Sequence, residues 1–218
     1  MTPDIVTEDF SDEGIRKNCP FCDPQSSTYK YFMEGTPSFR ILCNANPLCE
    51  GDITIVPKGH VACVATYPDS LYSEFLEVYA KVSRFIKKNF GPLATFEHGV
   101  FGQTVYHSHV HSLPFRGKPE EVVPEGLERL TKIAALSELR NWFEREGGYL
   151  FFSIEDGKWV VDSNLKAPRF FRDRFARLLG RPERGNWKEM HFNPTIMARV
   201  DEENRNVTKL WQSQRPLR

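Results

Sequence analysis

Apolar and polar residues alternate in short runs through the first half of the chain and switch once to a helical period. Residues 28–33 and 38–43 read as strands on either side of the turn Glu34-Gly35-Thr36-Pro37, and 53–56 reads as a third strand that stops at Pro57. From 70 to 90, Leu71, Phe75, Val78, Tyr79, Val82, Phe85 and Ile86 recur on one helical face, and Gly91-Pro92 supplies the stop. Residues 93–97 and 104–113 read as two further strands, joined by a loop containing Gly99 and Gly102. About five antiparallel strands with one long helix packed on them predict an α+β core.

Between 114 and 124 the pattern lapses into Pro, Gly and charge, so a boundary is expected there, with a core over 1–118 and a C-terminal α/β extension over 119–218. Within the extension, Leu127, Leu130, Ile133, Leu136, Leu139 and Phe143 predict a second amphipathic helix that runs until Gly147-Gly148. Residues 149–154 and 159–161 flank Asp156-Gly157, a favoured hairpin turn, and 170–179 predicts a third helix ended by Gly180 and Pro182. The last 20 residues are polar and charged and are expected to form a mobile tail.

Composition narrows the function classes. Twenty-nine basic and 29 acidic residues cancel, which speaks against wholesale binding of nucleic acid or anionic membrane. No apolar run reaches the roughly 18 residues of a spanning helix, and a start bearing Asp4, Glu8, Asp9 and Asp12 is too acidic for a secretory or mitochondrial leader, so a cytoplasmic location is expected. Five unevenly spaced cysteines suit reduced thiols or metal ligands better than a disulfide framework.

The stretch His107-Ser108-His109-Val110-His111 carries the strongest chemical signal. On a strand, three imidazoles at spacing two share one face. Their outer Cα atoms then lie about 13 Å apart at ~3.3 Å per residue, too far for one metal to hold all three, so the rings divide their labour. Upstream, Cys19-Pro20-Phe21-Cys22 is a CxxC pair whose sulfurs can reach one tetrahedral metal, although redox couples and plain loop cysteines use the same spacing. His60 and His107 are the imidazoles nearest the expected sheet, and two sulfurs with two nitrogens would complete a closed zinc site.

The CxxC pair, the Val56-Pro57-Lys58-Gly59-His60 segment, and Gly102-Gln103-Thr104-Val105-Tyr106 running into the three histidines resemble, in that order, the histidine triad superfamily. The resemblance covers roughly residues 19–115. It implies a nucleotide hydrolase or nucleotidyltransferase acting at the α-phosphorus of a nucleoside phosphate derivative. It also implies structural zinc on Cys19, Cys22, His60 and His107, as in the zinc-containing members. His109 then becomes the nucleophile, since a neutral imidazole attacks near pH 7 without a strong base, and His111 would bind phosphate oxygens or protonate the leaving group. Thr104 and the amide of Gln103 would hold a phosphate oxygen, and Asn44 would meet the ribose hydroxyls.

Some positions depart from that family. Ser108 and Ser112 stand where apolar spacers are usual, Gly51-Asp52 replaces a common Gly-His, and Leu113 replaces the glutamine of the uridylyltransferase branch, which argues against uridylyl exchange between sugars. His98 and His191 read as surface or satisfied core histidines, with His98 at the pocket rim as the alternative, and Cys43 and Cys63 read as packed apolar residues, with Cys49 a loop thiol. Packing is the plainer reading of the aromatic set Phe151, Phe152, Trp159, Phe170, Phe171 and Phe175. Arg169, Arg172, Arg174, Arg177, Arg181 and Arg184 read first as a solvated face, or else as an extension folded over the cleft with an arginine that selects the leaving group. Competing functions are a zinc-stabilised nucleotide-binding module without turnover and an oxygenase-like metal site on two of the triad histidines. A small-molecule nucleotide partner is expected, with adenosine compounds such as dinucleoside polyphosphates or phosphoramidates as substrates, and the reading is compatible with a homodimer.

Overall fold

The computed structural model describes residues 18–23 and 25–214; the acidic start and the final four residues lie outside them. Eight strands form one antiparallel sheet: β1 (Phe32–Gly35), β2 (Phe39–Cys43), β3 (Ile53–Pro57), β4 (Leu93–Gly99), β5 (Val110–Pro114), β6 (Leu130–Lys132), β7 (Tyr149–Ile154) and β8 (Gly157–Val161). Their spatial order is β1-β2-β3-β5-β4-β7-β8-β6. The helices are α1 (Asp69–Asn89), α2 (Pro119–Val122), α3 (Leu139–Glu146), α4 (Phe170–Leu178), α5 (Trp187–Met190) and α6 (Pro194–Ser213).

The α+β class is as expected, but the sheet has eight strands rather than five. The reason lies at β4. All seven of its residues are buried, so it cannot serve as a solvent edge, and β7 pairs along it from Ala94↔Ile154 to Gly99↔Tyr149. The segments on either side of the expected boundary near residue 118 therefore share one sheet.

Alternation along the strands sorts side chains to two faces. Ile53, Ile55 and Val110 turn to the face covered by α1, where Phe75, Val78, Val82, Phe85 and Ile86 form its buried stripe. Asp69 in the first turn of α1 and Lys87 and Lys88 in the last complement its dipole, and Gly91 at φ +112 turns the chain away. On the other face Ala94, Phe96, Leu113, Leu150 and Phe152 pack against Phe171 and Phe175 of α4. Trp159 stacks on Phe152, while Phe151 joins the α1 face, so the aromatic set is core on both sides of the sheet.

Four readings change. The segment expected as a strand over 104–113 becomes strand only from Val110: its pairing with β3 stops at Ile55↔Val110, and Val56 and Pro57 pair with β2 alone. Ahead of it the chain bends, with the His107 amide on the Val105 carbonyl (2.9 Å) and the Ser108 amide on that of Val61 (2.6 Å). The helix expected from 127 to 143 is confined to α3; Leu130-Thr131-Lys132 instead pair with Val161-Val160-Trp159 as an edge strand, and Leu127 is left 56% exposed. The tail expected to be mobile is largely α6, whose Val200, Val207 and Trp211 are buried. Cys49, expected as a loop thiol, is buried beside Leu48 in the α4-side core. Cys43 and Cys63 pack as expected, and burial pushes both thiols up to about 12.

Candidate active site and metal centre

Strand alternation puts His111 on the α4 face of β5, where its ring lies flat on Phe96 with centroids 4.6 Å apart and planes 13° apart. Its Nδ1 is 3.2 Å from Asp52 Oδ1 and 3.2 Å from Asn44 Nδ2. A carboxylate only accepts, so Nδ1 carries the proton and Nε2 keeps its lone pair. Asn44 Nδ2 and the Leu48 amide donate to the other carboxylate oxygen at 3.0 and 2.9 Å. Burial alone would raise Asp52; the adjacent His111, by charge and hydrogen bond, overrides it and holds the carboxyl below the usual range.

His109 lies just before the strand. Its Nδ1 donates to the His107 carbonyl at 2.6 Å, which fixes the tautomer and leaves the Nε2 lone pair available. The ring sits 5.4 Å from both Phe21 and His111. Burial, reinforced by His111, pushes its pKa down to about 3, so the imidazole is neutral near pH 7.

A buried polar cluster stands behind the bend. Ser108 Oγ donates to Glu97 (2.8 Å), Tyr67 donates to Ser108 (2.7 Å), and the Tyr149 hydroxyl (2.5 Å) and Val64 amide (3.0 Å) donate to the same carboxylate. Burial pushes Glu97 up to about 7 despite these donors. Ser112 meets Thr95 at 3.2 Å, so both serines that replace apolar spacers are hydrogen-bonded inside the protein.

Cys19, Cys22, His60 and His107 come together, with their ligand atoms all within 4.8 Å of one another. Sulfur–nitrogen separations are 3.4 Å for Cys19–His107, 3.1 Å for Cys22–His60 and 3.6 Å for Cys22–His107. A tetrahedral zinc with Zn–S of about 2.3 Å and Zn–N of about 2.0 Å needs edges of about 3.5 Å, so the donor set fits. The Pro57 carbonyl lies 2.9 Å from His107 Nε2 and can only accept, which turns the Nδ1 lone pair toward the sulfurs. The four-ligand set is closed by protein, as in structural sites.

His109 and His111 line a cavity of about 300 Å³ with Asn44 and Thr104. Gln103 does not join them: its Nε2 donates to the Ala62 carbonyl (2.8 Å) and its backbone amide to that of Val100 (3.3 Å), which braces the loop before the bend. The extension does reach the cavity, through Arg172, Trp187 and His191, and Trp187 Nε1 lies 3.4 Å from Thr104 Oγ1. Arg177 is exposed and takes no part in the wall. His98 is core: it packs on Phe96 and Phe171 and accepts the Phe171 amide. Sequence reasoning missed Asp52 as the His111 partner. It also missed Trp187 and His191, which carry no local motif.

Residues 27–118 match the HIT domain family. The chain is 25% identical over 114 residues to Protein hit of Bacillus subtilis (strain 168), covering 47% of this chain and 74% of that one. The crystal structure of a HIT family member from Bacillus subtilis covers 46% of this chain and 75% of its own at 24% identity and a TM-score of 0.39. A zinc-bound histidine triad family protein from Mycobacterium smegmatis covers 48% and 80% at 19% identity and a TM-score of 0.38. The chain carries a HIT domain over residues 27–118.

Proposed function

We propose that the protein cleaves a nucleoside phosphate derivative at its α-phosphorus through a nucleotidyl-His109 intermediate, passing the nucleoside monophosphate group to water or to another acceptor. The observation that carries this reading is the 2.6 Å bond from His109 Nδ1 to the His107 carbonyl, which presents a neutral Nε2 lone pair at the wall of the cavity. In the first step Nε2 bonds to phosphorus and the bond to the leaving group breaks. In the second, the acceptor displaces the histidine. His111, whose Nδ1–H donates to Asp52, presents Nε2 to the cavity, and a proton on Nε2 would be donated to phosphate oxygens or to the leaving atom. Thr104 and Asn44 bind substrate, whereas Gln103 supports the loop from behind.

Zinc bound by Cys19, Cys22, His60 and His107 would clamp the bend that presents His109 and would take no part in the reaction. The expected partner is a small nucleotide. No helix among the described residues is long and apolar enough to cross a membrane, and a cytoplasmic location and a homodimer remain part of the proposal. Release of nucleoside monophosphate from a panel of nucleotides is the test. Wild type is expected to turn over at least one of them and His109→Ala none. A wild type that binds nucleotides without release would make the protein a zinc-stabilised binding module instead.

A further inference from the structure

The arginines at 169–184 separate by their partners. Arg169 pairs with Asp173, Arg174 with Glu125, and Arg181 and Arg184 share Glu203. Arg172 is buried and hydrogen-bonds to no carboxylate among the described residues. Its Nε donates to the Gly185 carbonyl (3.3 Å), and its Nη2 donates to those of Asn46 (2.8 Å) and Arg184 (3.0 Å). Nη1 is left over, and the side chain lines the same cavity as His109 and His111. Asp52 and Asp173 both act on Arg172 by charge, but Asp52 spends its carboxylate oxygens on His111, Asn44 and Leu48, and Asp173 pairs with Arg169.

A guanidinium stays charged at any relevant pH, and a buried charge that no carboxylate meets directly is costly unless a ligand supplies the anion. Here three main-chain carbonyls hold it rigidly, and one fork nitrogen remains for an anion. His109 and His111 already account for the phosphate under attack. We propose that Arg172 binds the phosphate adjacent to the attacked one, so that the substrates are phosphoanhydrides of a nucleoside, such as dinucleoside polyphosphates, in preference to phosphoramidates.

This inference rests on the nucleotidyl-His109 reading and deepens it. The His109 Nε2–phosphorus bond forms as the anhydride P–O bond breaks, and the departing phosphate leaves with the electron pair as an oxyanion. That oxyanion needs no proton when Arg172 neutralises it. A phosphoramidate releases an amine, which needs a proton and gains nothing from a guanidinium. Water then attacks the phosphorus, giving the nucleoside monophosphate and the free imidazole.

The test compares kcat/KM for diadenosine tetraphosphate and adenosine 5′-phosphoramidate in the full chain as purified, for wild type, Arg172→Gln and Arg172→Lys. Arg172→Gln is expected to lower the tetraphosphate value by about 100-fold or more and the phosphoramidate value by less than about 5-fold, with Arg172→Lys between. Equal losses on both substrates, or an unchanged tetraphosphate value, would overturn the assignment. Direct binding of inorganic pyrophosphate gives a readout free of turnover: wild type is expected to bind it. Absence of binding counts against the subsite. A wild type that cleaves neither substrate removes the nucleotidyl-His109 reading, whereas pyrophosphate binding lost in a folded Arg172→Gln still supports the anion site.

Discussion

Asp52 fixes which nitrogen of His111 faces the substrate, and so has a kinetic signature distinct from packing. With Asp52→Asn, an amide can donate to Nδ1 and reverse the tautomer, so kcat is expected to fall about 100-fold while KM changes little. Steady-state kinetics would check this, and an effect confined to KM would contradict it. Glu97 behind the bend gives a pH prediction. Its ordinary value is 4.5, and burial in the fold moves it to about 7. Between those values the folded state keeps a proton that the unfolded chain has lost, so raising the pH through this window costs the fold up to about 3 kcal/mol. Glu97→Gln removes that cost, and its melting temperature relative to wild type is expected to rise from about pH 5 to about pH 8; a constant difference would contradict the titration. His109, His111 and the cluster of Cys19, Cys22, His60 and His107 could be singled out in the sequence because their spacing is distinctive. Their tautomers were not, because these depend on the His107 and Pro57 carbonyls and on Asp52, which only the fold brings close.

At the level of elements, β2, β3, β4, α1, α4 and the β7-β8 hairpin were readable because period and turn residues agree there, whereas the strands expected over 28–33 and 104–113 lie at Phe32–Gly35 and Val110–Pro114. Leu130 was misread because its helical spacing is equally consistent with a short edge strand, and the β8 edge decided the outcome. The polar face of α6 hid a helix whose anchor is ionic: Glu203 takes Arg184 Nη1 at 2.6 Å, Arg184 Nη2 at 3.1 Å and Arg181 Nη1 at 2.9 Å. Arg184 is only 1% exposed, so Glu203→Ala would strand a buried charge. A loss of about 3–5 kcal/mol is expected in urea unfolding. A loss under about 1 kcal/mol would mean that α6 is held by Val200, Val207 and Trp211 alone.

Across the whole molecule, the sheet continues from the HIT domain into the extension, and the cavity is walled by both: His109, His111, Asn44 and Thr104 from one side, Arg172, Trp187 and His191 from the other. Sequence alone separated these segments because the Pro-rich stretch near 118 resembles a linker, while the β4–β7 pairing that joins them has no local signature. Zinc on Cys19, Cys22, His60 and His107 would tie the CxxC turn to the bend, so metal analysis is expected to find about one zinc per chain, and its removal by a chelator should lower the melting temperature on the order of 10 °C. Protein that contains no zinc when purified without chelator would remove the assignment. The central claim concerns His109 Nε2, and acid quench of a single turnover with substrate labelled at the α-phosphate tests it most directly. Label bound covalently to wild type, located on His109 and missing from His109→Asn, is the result expected; turnover at full rate with no label on the protein would contradict it.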